Sequence, residues 1–182
     1  MTRALHLALS VLLACVSIAA IANAAPTFDP SRKRIVIHNS IVGVKLGQSP
    51  KAAKRAWRGA GRCGGHGDAT ACLWGSERKG HLGFIYATGT DRVFQVSISA
   101  GISEHKNVYR KPLTTVKTSK GIGLGSKKSA VKRAYPGGRS INGPIDYCIR
   151  RGNTTTTFDF DTRRVAGITM YRGYGDQLAT CD

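Results

Sequence analysis

The sequence is short of carboxylates. Its 182 residues contain 10 Asp and Glu against 28 Lys and Arg, which gives a formal net charge of +18. No acid occurs within residues 30–67 or 105–145, yet these tracts carry nine and ten Lys or Arg residues. A solvated surface usually mixes both signs of charge, so the segregation indicates an anionic partner. A strongly charged surface that only keeps the protein soluble is the alternative.

Motifs for nucleotide binding and catalysis are also missing. Residues 121–129, GIGLGSKKS, look like a phosphate loop, but Lys127 stands where a Walker loop needs glycine, and Ser126 where a dinucleotide fingerprint needs its third glycine. There is no Gly-x-Ser-x-Gly elbow, and no histidine has a sequence partner that suggests catalysis. Asp159 and Asp161 alternate on a predicted strand, where solvent-facing acids are favoured over a catalytic pair. We therefore predict a protein that is not an enzyme, with no catalytic residues and no cofactor.

A long apolar run occurs at the N-terminus. Residues 4–22 are mostly apolar, follow the basic Arg3 and precede small residues that suit a signal peptidase. We predict a cleaved signal peptide at residues 1–24 and a secreted or cell-envelope location, extracellular or periplasmic. Lipidation at Cys15 and an uncleaved anchor are the alternatives, and only these would bring the protein into contact with a membrane.

Four cysteines follow the predicted signal peptide: Cys63, Cys72, Cys148 and Cys181. An even number in an exported chain predicts two disulfides, for which three pairings exist. The short, glycine-rich segment between Cys63 and Cys72 favours that pair. A zinc site at Cys63, His66 and Cys72 is disfavoured because four well-spaced ligands are not present, and we predict no metal.

The sequence contains an internal repeat. Residues 43–57 align with residues 121–135, 78 positions later, with seven of fifteen residues identical and Trp57 over Tyr135. Each copy continues with a glycine-rich loop, a strand that contains cysteine and two more alternating strands. The pattern predicts an α+β fold of two tandem repeats, each a short helix packed on an antiparallel sheet, and the two units together are expected to make one larger antiparallel sheet. The predicted units are residues 25–100 and 119–182, with a linker at 101–118.

The two predicted helices are basic. Ser49 is the expected N-cap of the first helix with Pro50 at its first position, and Ser126 is the expected N-cap of the second. The basic side chains have no acidic neighbour four residues on, so we take them as candidate anion-binding residues, with a solvated face as the alternative. These residues are Lys51, Lys54, Arg55, Arg58, Lys127, Lys128, Lys132 and Arg133.

A short capped helix after Gly-x-x-Leu-Gly, then two cysteines and β-strands, resembles the repeat of the β-lactamase inhibitory protein. The small lipoproteins of the outer-membrane assembly machine use a similar single unit. The match covers residues 41–72 in the first copy, and implies a disulfide between Cys63 and Cys72. The second copy has no cysteine near Gly137, which leaves Cys148 to pair with Cys181.

That inhibitor binds its enzyme through a concave sheet rich in aromatic residues. The resemblance implies a secreted, non-enzymatic binding protein that is inhibitor-like or a protein-interaction module of the envelope. A basic protein that binds anionic envelope polymer, lipid headgroup or nucleic acid is the alternative, so the partner is an unknown protein or an anionic polymer. Strand aromatics pack in a core by default. Those that face outward instead are candidate protein-binding residues: Trp74, Phe84, Tyr86, Tyr147, Phe158 and Phe160.

Overall fold

A computed structural model describes residues 34–57, 61–141, 143, 145–173 and Cys181. These residues form 14 strands, two α-helices and one 3-10 helix at Leu113–Thr115. The predicted signal peptide, Cys15 and Arg58 lie outside the described residues. Within the described ranges, no helix has both the length and the apolar character needed to cross a membrane.

One large antiparallel sheet of eight strands dominates the fold. Its order is β11-β12-β13-β14-β7-β6-β5-β4, so two groups of four strands meet where β14 pairs with β7 and Ile168 lies opposite Ile98. The β-branched and aromatic residues that alternate along these strands fit a pleated sheet, and β13 is buried on both faces along most of its length. The strands are β4 (Arg62–His66), β5 (Ala69–Ser76), β6 (Gly80–Ala87), β7 (Val93–Ser99), β11 (Arg139–Ile141), β12 (Asp146–Arg151), β13 (Thr154–Phe160) and β14 (Val165–Arg172).

A second, mixed layer packs against this sheet. It consists of a four-stranded sheet of order β10-β1-β2-β3 and the two helices, while a separate hairpin pairs β8 with β9. β1 and β10 are parallel, and they join the start of the described chain to the segment before α2. The elements are β1 (Arg34–Val36), β2 (Ser40–Ile41), β3 (Val44–Lys45), α1 (Pro50–Ala56), β8 (Gly101–Ser103), β9 (Lys106–Val108), β10 (Lys117–Thr118) and α2 (Lys128–Ala134).

Aromatic residues at the end of each helix anchor the layers. Trp57, which follows α1, is 1% exposed, and its indole nitrogen donates to the carbonyl oxygen of Val42 at 3.1 Å. Its ring meets that of Trp74 edge-on at 5.3 Å. Tyr135, which follows α2, stacks on Phe158 at 5.6 Å. A helix of seven residues is not stable alone, so this packing holds both helices in place.

The predicted α+β class is wrong. Strands account for 50% of the structure and helices for 13%, and the chain is mostly β. The two groups of strands merge into one sheet, and each helix has only seven residues, so a second small sheet shares the task of covering the buried face. The prediction that the two units join in one larger antiparallel sheet is confirmed. Alternation predicted six of its eight strands, whereas β4 and β11 lie where glycine-rich loops were predicted.

Both disulfides expected from the sequence are present. Cys63 and Cys72 lie directly opposite each other on β4 and β5 and are bonded. Cys148 of β12 is bonded to Cys181, and both are buried. The second bond attaches residue 181 to the face of the large sheet that points away from the helices.

One of the two predicted helix caps is confirmed. Ser49 caps α1, since its hydroxyl oxygen accepts from the backbone N–H of Ala52 at 3.4 Å and Pro50 begins the helix. The predicted cap at Ser126 is wrong, because the N-cap of α2 is Lys127 and makes no side-chain cap bond. The hydroxyl of Ser126 instead accepts from the backbone N–H of Gly123 at 3.0 Å.

A candidate anion-binding site

The aromatic residues considered for protein binding lie mainly in the core. Five of them are at most 6% exposed, and Tyr86 is partly buried against the same core. They point toward the helices, so the described part of the sheet does not present them as an aromatic surface. The buried residues are Trp74, Phe84, Tyr147, Phe158 and Phe160.

The basic residues of α2 are held at the boundary between helix and sheet. Lys128 is half-buried and places its ammonium group 5.3 Å from the centre of the Phe160 ring. Lys132 lies 5.8 Å from the centre of the Tyr147 ring in the same way. Such cation–π contacts fix the direction of the side chain. The remaining candidates that the structure describes, namely Lys51, Lys54, Arg55, Lys127 and Arg133, are exposed.

The backbone before α2 pairs with the turn that follows β13. The N–H of Gly125 donates to the carbonyl of Val165 at 2.8 Å, and the N–H of Val165 donates back to Ser126 at 2.9 Å. Lys127 and Arg164 form an isolated antiparallel bridge. This short ladder sets two basic segments, distant in sequence, side by side on a rigid base.

The result is a cleft of about 450 Å³ with four cationic side chains. Arg164 is oriented by a hydrogen bond from its Nη1 to the carbonyl oxygen of Gly125 at 2.9 Å. The side chains of Lys127, Arg163 and Arg164 are all exposed at this cleft. We call it the lysine–arginine cleft, and its lining residues are Lys127, Lys128, Ser129, Thr162, Arg163 and Arg164.

Asp161 holds the turn that carries these arginines. Its carboxylate accepts from the backbone N–H of Arg164 at 2.9 Å and of Arg163 at 3.3 Å. The hydroxyl of Tyr109 also donates to it. Partial burial raises the pKa of Asp161, but the hydrogen bonds from Tyr109 and the two backbone N–H groups outweigh it, so the net pKa is lowered. Burial and the contact with Asp161 raise the pKa of Tyr109. Asp161 therefore stays ionised and the turn stays ordered at neutral pH.

The same backbone arrangement recurs before α1 with different charges. The backbone N–H of Gly47 donates to the carbonyl oxygen of Val93 at 2.7 Å, and Arg92 donates from Nη1 to the carbonyl oxygen of Gly47 at 3.2 Å. Ser49 and Asp91 stand there in place of Lys127 and Arg163. A concentration of four cations is thus particular to the α2 end and does not follow from the backbone alone.

Arg163 and Arg164 are not among the anion-binding residues predicted from the sequence. The signal that points to them is the short pattern Thr-x-Arg-Val, which occurs at residues 90–93 and again at 162–165. In both places its arginine contacts a glycine that lies far away in sequence. The sequence alone does not predict this contact, because folding is what brings the arginine at the strand next to the glycine of the loop before the helix.

The structure does not place the side chains of Asp159 and Asp161 together as a carboxylate pair. A bulge between Asp159 and Phe160 separates them, and Asp159 lies opposite Asp146 of β12 instead. Burial, helped by the charge of Asp146, raises the pKa of Asp159 to about 6. Its carboxylate occupies the space over Gly167, where a Cβ would lie 2.5 Å from Oδ2. Within the described residues, no three His, Cys, Asp or Glu side chains are grouped so that they could hold a metal ion.

Comparison with known proteins identifies no family for this chain. No protein-family model matches it, and no curated protein does. One solved structure that is similar is an extracellular protein containing a SCP domain from Bacillus anthracis str. Ames, with 12% identity and a TM-score of 0.46. The match covers 70% of this chain and 44% of that one, and at this level it carries no argument about fold or function.

Proposed function

We propose that this chain is an exported, non-enzymatic protein that binds an anionic polymer through the lysine–arginine cleft. The observation that carries the proposal is the convergence of Lys127, Lys128, Arg163 and Arg164 on one cleft. The two disulfides are what a protein of an oxidising compartment contains. The predicted signal peptide at residues 1–24 supports export, because such a segment directs a chain to secretion.

The cleft combines two kinds of cation. Arginine offers a planar fork that binds two oxygens of a phosphate or carboxylate, while lysine contributes a compact charge. Arg164 is already oriented by Gly125, so less side-chain freedom is lost when an anion binds. The exposed rim suits a chain of repeated anionic groups that continues beyond the cleft.

Burial of the strand aromatics is the reason for preferring this function to an inhibitor-like one. The inhibitor resemblance implied an aromatic surface, and five of the six residues that would form it are in the core. The side chains of Lys127, Arg163 and Arg164, in contrast, are exposed, and Arg164 is held by its hydrogen bond to Gly125. The protein-binding alternative stays a prediction of the sequence.

The test compares two double variants that remove the same charges. Lys127→Ser with Arg163→Gln alters the cleft, and Lys79→Ser with Arg78→Gln makes the matched change in the exposed turn between β5 and β6. Binding of inorganic polyphosphate and of polyglutamate is measured between 50 and 300 mM salt, so that phosphate and carboxylate chains are distinguished. Because two cationic contacts are lost in the cleft variant, the slope of log K against log[salt] should become shallower by about two units.

We expect the cleft variant to weaken polymer binding at least tenfold and the matched variant to change it less than twofold. Equal losses in both variants would show that binding follows net charge and not this cleft, which would overturn the proposal. Unchanged binding by the cleft variant would overturn it as well.

A further inference from the structure

We infer that a second anion-binding site lies at the other end of β14, in a cleft that takes a phosphate or carboxylate group between two arginines. We call this the two-arginine cleft, and its volume is about 450 Å³. Four separate segments build it: the loop before α1, the start of β7, the turn between β12 and β13, and the end of β14. The residues that carry the argument are Gly47, Arg92, Phe94, Asn153 and Arg172.

Both guanidinium groups converge on Gly47. Arg92 donates from Nη1 to the carbonyl oxygen of Gly47 at 3.2 Å. Arg172 places its Nη1 only 2.4 Å from where a Cβ on Gly47 would lie, and Gly47 has a φ of +81°. Any larger residue at position 47 would displace Arg172, so the glycine makes room for the second guanidinium.

Two guanidinium groups brought together repel each other, and an anion that binds between them offsets this repulsion. Among the described residues that line this cleft there is no carboxylate, and Asp91, although next to Arg92 in sequence, is not one of them. The amide side chain of Asn153 and the ring of Phe94 complete the walls. Two planar forks beside an amide and an aromatic wall match the oxygens of a phosphate or carboxylate.

The arginine pair is not a by-product of the repeated backbone. Gly125 occupies the equivalent place before α2, with a φ of +80°, but its neighbour there is the ring of Tyr109 at 3.5 Å from a built Cβ. That tyrosine is uncharged and is bonded to Asp161. Only the α1 end places a second arginine over the glycine.

The two clefts lie at opposite ends of one strand. β14 begins at Val165, beside the lysine–arginine cleft, and ends at Arg172 in the two-arginine cleft. Eight residues of strand span about 25 Å. Together with the proposed function, on which this step rests, the second site makes the protein bivalent, able to hold two anionic groups of one chain or of two.

Calorimetric titration with tripolyphosphate at 150 mM salt tests the site, because this probe is too short to span both clefts. We expect two molecules bound per protein. Arg92→Gln with Arg172→Gln should reduce this number to one, with the remaining affinity unchanged. Arg78→Gln, which removes an exposed charge elsewhere, should leave two. Arg172→Lys keeps the charge but not the fork, and should weaken the second site severalfold.

The outcomes separate this inference from the proposed function. The native protein could bind one molecule only. If Lys127→Ser with Arg163→Gln abolishes that binding and Arg92→Gln with Arg172→Gln does not, only the second site is overturned. One bound molecule lost in the double arginine variant alone would support the second site and overturn the first. No binding, or an equal loss in the Arg78 variant, would overturn both.

Discussion

The hydroxyl of Tyr109 donates a hydrogen bond to the carboxylate of Asp161, and this contact joins the segment after β9 to the turn after β13. Tyr109 is only partly buried, yet its ring also covers Gly125, whose carbonyl oxygen orients Arg164. One tyrosine thus contacts both the turn and the loop that form the lysine–arginine cleft.

Tyr109→Phe should loosen that turn. We expect the free energy of unfolding to fall by about 1 to 2 kcal/mol, since a hydrogen bond to a charged group is lost. Polyphosphate binding at the lysine–arginine cleft should weaken about threefold, as measured by titration calorimetry. Asp91→Asn, in the matching turn at the other cleft, is the control and should leave that binding unchanged. A Tyr109→Phe protein with native affinity would show that the contact does not position the arginines.

Asp159 should make the protein less stable as the pH rises from about 4 to about 6. Its pKa is raised to about 6 in the folded protein by burial and by Asp146, whereas the ordinary pKa of an aspartate, which applies in the unfolded chain, is 3.8. Between these values the folded state holds a proton that the unfolded state has released, so stability falls with increasing pH. The loss should be about 3 kcal/mol. The free energy of unfolding in urea is measured between pH 4 and pH 6 for the native protein and for Asp159→Asn, which cannot titrate at this position. If the free energy changes with pH to the same extent in both proteins, the prediction is contradicted.

The two disulfides should contribute unequally to stability. Loop-closure entropy gives about 2.7 kcal/mol for the shorter loop between Cys63 and Cys72 and about 3.8 kcal/mol for the longer one between Cys148 and Cys181. Replacing each pair by serine and measuring urea unfolding checks the order. A larger loss from the Cys63 and Cys72 pair would show that loop length is not the deciding factor.

The two serines before the helices should respond differently to substitution. Ser49→Ala removes the cap of α1 and should cost about 1 kcal/mol. Ser126→Ala removes a bond to Gly123 that lies outside the helix, so it should disturb the loop at the lysine–arginine cleft and weaken polyphosphate binding. Chemical unfolding and calorimetry of both variants separate the two effects. Equal loss of binding in both would contradict the assignment.

Local sequence patterns were enough for several features. Alternation located six of the eight strands of the large sheet, the Ser49-Pro50 pair located the start of α1, and the glycine-rich spacing of Cys63 and Cys72 indicated their bond. These features depend on residues that are neighbours in the chain, so that propensity, capping and loop length decide them. The basic character of the surface is likewise a property of composition.

Only the tertiary structure decided the fold class and the sites. One larger sheet was predicted, but the structure decided that β7 and β14 join its halves and that β1 pairs with β10 in a second small sheet, which the sequence did not indicate. The approach of Arg163 to Lys127 and of Arg172 to Gly47 depends on strands that are distant in sequence. Sequence alone determined the six longest strands and where the positive charge is concentrated. Which cations share a cleft was decided by long-range strand pairing, because that pairing brings together residues that no local pattern connects.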